Sequence, residues 1–372
     1  MTPQWSKMSA SAPGSIMITG EHAVVYGYPA VVCAIDQRVT ITATPQATRQ
    51  LQIFSGISDP VAVALDGFDV SGPMRFVLAA VALYRGRLSH GLRLDIVSQI
   101  DPTLGLGSSA AVTIATLGLL EALTQTQTQT QTQTRQQTQT HSGTAPKTET
   151  PTRCAPLSAR HKVQLHHQAL RIIRNLQGRG SGADLAASLH GGLLGYQLGL
   201  AAANKALVNG PPKDAGMFLQ PSEKGDHVSN AEHATILSLP RPPQMSLCYC
   251  GYKTPTGQVL AALAQKMVGR EVEFAALYAR MGACAMAAIS SAQRDDWRLF
   301  GKQLNAYQGL MVELGVSDPT LDALVARARD QTGVTAAKIS GSGLGDCILA
   351  LGPLVAQHQP APFTAKGLVL DD

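Results

Sequence analysis

No G-x-x-x-x-G-K-[ST] run occurs anywhere in the 372 residues, so a Walker phosphate loop is excluded. Neither H-R-D nor D-F-G is present, which excludes a protein kinase. There is no long basic run, and the formal net charge of +5 is modest, so the chain lacks the footprint of a nucleic-acid binder. Six cysteines occur, and their only close pair, Cys248 and Cys250, is spaced for neither a zinc knuckle nor a CxxC redox couple. They read as reduced core thiols. Met1 to Ala12 lacks the apolar core of a signal peptide, and no uncharged apolar run reaches membrane-spanning length. The expectation is a cytoplasmic protein with no membrane partner. What is abundant is apolar surface: 45% hydrophobic against 15% charged residues, enough for a large core in one large or two medium domains.

One segment has almost nothing to bury. From Thr124 to Gln139 the chain is nearly all Thr-Gln repeats, and a Ser/Thr/Pro-rich stretch comes after it, to Pro156. Such a tract cannot offset its ordering entropy, so a disordered insertion is expected over 124–156. Before it, Ser15–Thr19, Ala30–Thr44 and the alternation Leu92, Leu94, Ile96 read as strands. Gly107–Leu123 reads as a helix with Ser108 and Ser109 as cap candidates, and His161–Leu176 as a second helix. After a Pro-rich connecting region at 209–243 come a strand at Met245–Gly251, helices between Val259 and Gly315, a helix at Leu321–Thr332, and a strand–glycine-loop–strand unit at Ala336–Leu351. Strands and helices alternate in both halves, which predicts a two-domain α+β architecture with an N-terminal unit at 1–208 and a C-terminal one at 244–372.

Three glycine loops carry the chemical signal. Asp101-Pro-Thr-Leu-Gly-Leu-Gly-Ser-Ser-Ala-Ala111 places Gly105 and Gly107 just before a helix start. Glycines permit close backbone approach, and the free N–H groups and positive dipole end then point at an anion. The segment also satisfies G-x-G-x-x-A, but a dinucleotide site needs an acidic residue about 20 positions on, where only the Thr-Gln tract stands. Gly178-Arg-Gly-Ser-Gly-Ala-Asp184 sets one carboxylate beyond a flexible turn, and Lys338-Ile-Ser-Gly-Ser-Gly-Leu-Gly-Asp-Cys347 joins two strands.

With these, Ala12-Pro-Gly-Ser-Ile-Met-Ile-Thr-Gly-Glu-His-Ala-Val-Val-Tyr-Gly27 resembles the first motif of the GHMP kinase superfamily, in its mevalonate kinase form. Leu104–Ala111 resembles the second motif, the ATP phosphate loop, and Lys338–Cys347 the third. The resemblance implies an N-terminal domain like domain 2 of ribosomal protein S5 and a ferredoxin-like C-terminal domain, with ATP and substrate in the cleft between them. It implies transfer of the ATP γ-phosphoryl group to the hydroxyl of mevalonate with Mg²⁺ present, in the route to isoprenoids. Phosphate binding would fall to Leu104, Gly105, Leu106, Gly107, Ser108, Ser109 and Ala110, with Ser109 also a metal ligand. Asp184 matches the catalytic aspartate, and Glu21 and His22 the substrate end of motif one. Arg179 and Lys253 are further substrate-binding candidates, and Ser340, Gly341, Ser342 and Gly343 form the bracing loop. The partners implied are ATP and a small alcohol, with neither nucleic acid nor membrane; a homodimer is left open.

Two positions depart from the pattern. The family lysine after Ala-Pro-Gly is Ser15, and the magnesium-binding glutamate of mevalonate kinases is Ile173. Arg179, Lys253 and Lys338 are the candidate replacements for the lost charge. The Gly-Ser-Gly-Ala-Asp form around Asp184 and the Gly-Asp-Cys end of motif three look like phosphomevalonate kinase, the first alternative. Another small-molecule kinase and a catalytically silent nucleotide sensor rank after it.

Overall fold

The computed structural model describes residues 5, 7–101, 104–137, 157–199 and 234–371. The architecture is α+β, built on two sheets. The larger has the order β12-β1-β2-β5-β3-β4, with β6 paired to β2 and β7 to β6. Its strands are β1 (Met8–Thr19), β2 (Ala30–Gln46), β3 (Gln50–Ser55), β4 (Ser58–Ala64), β5 (Gly91–Ser98), β6 (Leu193–Gln197), β7 (Thr235–Leu239) and β12 (Val369–Asp371). All pairings are antiparallel except that of β3 with β5. On the edge away from β1, β2 serves two neighbours: Ala30–Cys33 pairs with β6, and Val39–Gln46 with β5. β1 spans both halves, and its register with β2 shifts at Pro13/Gly14. A register shift bends a strand and re-aims the side chains beyond it, here Ser15.

The smaller sheet has the order β11-β8-β10-β9, from β8 (Met245–Tyr249), β9 (Ala336–Ser340), β10 (Cys347–Leu351) and β11 (Gln359–Pro360), all antiparallel. The helices are α1 (Arg75–Tyr84), α2 (Ser108–Gln137), α3 (Ala159–Gln177), α4 (Ala183–His190), α5 (Thr256–Met267), α6 (Glu271–Gln293), α7 (Trp297–Leu314) and α8 (Pro319–Arg329). Among the described residues α6 alone is long and apolar enough to cross a membrane. It is amphipathic, though: Leu277, Met281, Ala285 and Ile289 are buried, and it packs along α7. There are two hydrophobic cores. One joins the large sheet to α1–α4 and takes in Met245, Leu247, Leu349 and Leu351 of the small sheet and Ile289 of α6; the other joins Ala337, Ile339, Ile348 and Ala350 of the small sheet to α5–α8. Ala23 and Tyr28, at and just beyond a short 3₁₀ turn after β1, are buried in the second core. Motif one therefore lies on the seam between the two.

Three expectations are corrected. Helix α2 does not stop at Leu123 but continues through the Thr-Gln tract to Gln137. Extending an existing helix is far cheaper than nucleating one, and Gln is a good helix former. Thr124 Oγ1 donates to the Leu120 carbonyl at 3.0 Å, and Gln125 Nε2 to Glu121 Oε1 at 2.8 Å. The rest of the expected insertion, 138–156, lies outside the described residues, as does the connecting region up to 233. Its last part is not a linker, because β7 is a strand of the larger sheet. Nor is the C-terminal unit closed on itself: β12 returns to pair with β1.

Candidate active site at the seam

The phosphate-loop candidate and motif one touch directly. Ser15 N–H donates to the Leu106 carbonyl at 3.1 Å. Gly107 has φ of 65°, and a Cβ there would overlap Ser15 Oγ. This position needs glycine on both counts. Helix α2 begins at Ser108, and the Gly107 carbonyl accepts the Ala111 N–H at 3.0 Å. Gly107, rather than either serine, thus takes the N-cap place. The N–H groups of Ser108, Ser109 and Ala110 have no intrahelical acceptor and open at a positive dipole end. Ser108 and Ser109 are half-buried, while Leu104 and Leu106 anchor the loop in the core.

Asp184 stands in the first turn of α4, after Gly182 with φ of 87°. The preceding turn is held by two bonds: His166 Nε2 donates to the Gly182 carbonyl at 2.9 Å, and Tyr196 OH to that of Ser181 at 2.6 Å. Asp184 is half-buried and accepts a hydrogen bond from Ser15 Oγ at 2.8 Å. Burial raises its carboxyl pKa, and the Ser15 hydroxyl pulls the other way. Among the described residues no cation contributes. A carboxylate 169 residues from Ser15 in sequence is thus set against the residue that abuts the phosphate loop.

Glu21 and His22 meet the third loop. Lys338 is fully buried on β9, and its Nζ lies 2.5 Å from Glu21 Oε1 while also donating to the Ile339 carbonyl. Tyr307 OH donates to the Glu21 carbonyl at 2.8 Å, and its ring lies 5.6 Å from Lys338 Nζ. Burial pushes the Glu21 carboxyl up, and Lys338 pulls it back. His22 has φ of 63° and donates from Nε2 to the Ser342 carbonyl at 2.9 Å. That bond makes Nδ1 the unprotonated acceptor. Burial, aided by Lys338, brings the His22 pKa down to about 4. Glu21 Oε2, His22 Nδ1 and Ser342 Oγ are all buried without a hydrogen-bond partner. Orphaned buried polar atoms are costly, and this set of two acceptors and a hydroxyl suits a ligand that presents hydroxyl donors.

In the third loop, Gly341 and Gly343 have φ of 91° and 80°, and a Cβ on Gly343 would overlap the Val316 carbonyl. Asp346 holds φ of 63°, unfavourable for a non-glycine residue. Its carboxylate lies 3.2 Å from Lys253 Nζ and 3.5 Å from where a Cβ on Gly105 would sit. Lys253 is therefore beside the phosphate loop, but paired with Asp346 and not with Asp184. Lys338 is likewise taken up by Glu21. Arg179 is exposed, and its charge bears on Tyr278, which stacks on Tyr26. None of the three candidate cations replaces the lysine lost at Ser15.

Ile173 is buried against Gly180, so its side chain lies in apolar packing. No cluster of three His, Cys, Asp or Glu among the described residues is placed to hold a metal. The Ser109 hydroxyl at the α2 start is compatible with Mg²⁺ carried in on nucleotide phosphates, since Mg²⁺ keeps several waters and needs few protein ligands. Sequence reasoning misses Asp346 as a site residue and reaches Lys338 only as a stand-in for the lost lysine. For Lys338 the available signal is a lysine in an otherwise apolar strand, which demands a buried anion.

Three family models match: GHMP kinases N terminal domain over 75–142, GHMP kinases C terminal over 288–359, and the galactokinase galactose-binding signature over 4–45. Mevalonate kinase of Thermococcus onnurineus is 27% identical, with 97% of this chain aligned to 94% of that one. Mevalonate kinase of Pyrococcus furiosus is 26% identical, with 93% aligned to 90%. Among solved structures, the Lin0012 protein of Listeria innocua superimposes with a TM-score of 0.71 at 19% identity, covering 99% of this chain and 100% of that one. Mevalonate kinase of L. major in complex with R-mevalonate gives 0.63 at 20% identity, covering 96% and 91%. Streptococcus pneumoniae phosphomevalonate kinase in complex with phosphomevalonate and AMPPNP gives 0.65 at 16%, covering 94% and 93%. With matches to both halves and near full-length relatives, the chain belongs to the GHMP kinase superfamily, as a phosphotransferase with an alcohol acceptor that is most like mevalonate kinase.

Proposed function

We propose that this protein transfers the γ-phosphoryl group of ATP to the primary alcohol of mevalonate. The observation that carries the reading is the contact between Asp184 and Ser15, whose hydroxyl abuts Gly107 of the phosphate loop. It sets a half-buried carboxylate beside the segment suited to hold phosphates. In this reading the substrate oxygen forms its bond to the γ-phosphorus, the bond from that phosphorus to the ADP oxygen breaks, and the hydroxyl proton passes to Asp184. Burial keeps that carboxylate basic. The N–H groups at the start of α2 stabilise charge on the phosphates, and Ser109 would hold Mg²⁺ together with the phosphates, where the ion would neutralise charge. Glu21 and His22 accept hydrogen bonds from substrate hydroxyls through the atoms that have no partner of their own.

Phosphomevalonate is the second reading, and one feature favours it. Lys253 is a partly exposed cation paired with Asp346, whose carboxylate lies against Gly105, and an acceptor already carrying a phosphate could take its charge-assisted contact there. ADP release with each acceptor at fixed ATP and Mg²⁺ separates the two. Turnover of phosphomevalonate well above mevalonate, abolished by Lys253→Met, would establish the second reading. A mild effect of Lys253→Met with mevalonate preferred is the outcome expected here.

A further inference from the structure

Ser15 stands where the resemblance to GHMP kinases implies a lysine, and among the described residues no cation acts on Asp184. Ser15 itself is fully buried. It is held from three sides: its N–H donates to Leu106, its hydroxyl to Asp184 Oδ1, and Gly107 closes over the hydroxyl so tightly that a Cβ would overlap it. The register shift at Pro13/Gly14 gives β1 the bend that makes this possible, and Gly14 lies so close to the Leu106 carbonyl that a Cβ would stand 2.7 Å from it.

From this geometry we infer that Ser15 is the positioning residue of the site: a neutral hydroxyl clamp that fixes Asp184 against the phosphate loop by one hydrogen bond. A serine clamp differs from a lysine in kind. Lysine would orient the carboxylate and also drain its basicity through charge. A hydroxyl orients it and lowers its basicity only slightly, leaving a carboxylate that burial keeps above its ordinary range. The groups that bear on Asp184 are few. Ser15 faces it from β1, and Tyr196 on β6 interacts with it while its own phenol is pushed up and stays neutral. The hydroxyl takes no proton in the reaction; it holds one Asp184 oxygen so that the other is left for the acceptor.

This inference rests on the phosphotransferase reading, so its test needs a readout that does not depend on turnover. Prepare Ser15→Ala, Ser15→Thr and Asp184→Asn, and the Ser15→Ala/Asp184→Asn double variant. First, follow the carboxyl titration of Asp184 by ¹³C NMR, assigned by its loss in Asp184→Asn. In Ser15→Ala the midpoint should move to higher pH, because a hydrogen bond to the charged form is gone; in Ser15→Thr it should stay. Second, measure kcat and KM against pH. Ser15→Ala should lower kcat about tenfold and move the acidic limb of the profile upward, with KM for ATP within about twofold of wild type. Ser15→Thr should recover most of the loss. The double variant should be no slower than Asp184→Asn alone, since the clamp acts through that carboxylate. An unmoved Asp184 midpoint, or losses that multiply in the double variant, would overturn the proposal. A moved midpoint in a wild-type protein that phosphorylates no alcohol would leave the clamp standing and overturn the functional reading instead.

Discussion

Breaking the Lys338–Glu21 pair should be far more damaging than removing it. Both side chains are buried, at 0% and 2% exposure, and their charges lie 2.5 Å apart. In such surroundings the loss of one partner leaves the other charged, desolvated and alone, which typically costs about 3–5 kcal/mol. Lys338→Met keeps the length and apolar stem of the side chain and abandons Glu21. Glu21→Gln keeps shape and abandons Lys338. Each single variant should lower the melting temperature by on the order of 10 °C, taking about 2–4 °C per kcal/mol for a folding unit of 150–250 residues. The double variant should be more stable than either, because no buried charge remains. Ile339 N–H to Gln308 Oε1, at 2.8 Å, and Tyr307 OH to the Glu21 carbonyl should persist and hold the strand in place. Melting curves of the four proteins at pH 7 complete the cycle. Near-wild-type melting for both single variants, or a double variant as unstable as the two losses summed, would refute the claim that these charges exist for one another.

The same geometry yields other expected outcomes. Gly107→Val should weaken ATP binding strongly, since a side chain there is strained at φ of 65° and overlaps the Ser15 hydroxyl; calorimetry would expose the error if affinity is unchanged. Asp184→Asn should cut kcat about 100- to 10,000-fold and leave ATP affinity nearly as it was. The same variant should melt higher than wild type at pH 7. A carboxyl raised in the folded state binds more protons there than in the unfolded chain, so wild-type stability falls as pH rises through that window; the gap between the two proteins should close as pH falls toward the unfolded carboxyl value, and a gap independent of pH would contradict this. His22 works in the opposite sense. Its pKa drops from 6.5 to about 4 on folding, so the unfolded chain takes up a proton first as pH falls. The stability lost between those values is of order 3 kcal/mol, and His22→Gln should show a shallower decline in melting temperature over that range.

Much of the scaffold was legible because its signals are local. The alternation around Ile41 and Leu94 marks β2 and β5, and the apolar face of Leu165, Ala169 and Ile172 marks α3. The Thr-Gln tract misleads because its composition says nothing about the helix already running into it at Leu123. Ser55-Gly56 marks the β3–β4 turn locally, but the hairpin's place beside β5, like the return of β12 to β1, depends on partners far away in sequence, which no window over one segment can reveal. The loops divide in the same way. Gly105 and Gly107 announce close backbone approach by their type alone. Asp346 does not: its place beside Gly105 and Lys253 exists only once three separate loops meet. Ser15 reads as a lost lysine, and only the 2.8 Å contact with Asp184 gives it a partner.

The most direct test of the account is steady-state ADP release by the full-length protein with ATP and Mg²⁺, offering mevalonate, phosphomevalonate and galactose in turn, wild type beside Asp184→Asn. Turnover with mevalonate as the preferred acceptor, reduced at least about 100-fold by Asp184→Asn, is the predicted result. ATP binding without transfer to any of the three, indistinguishable between the two proteins, would contradict it.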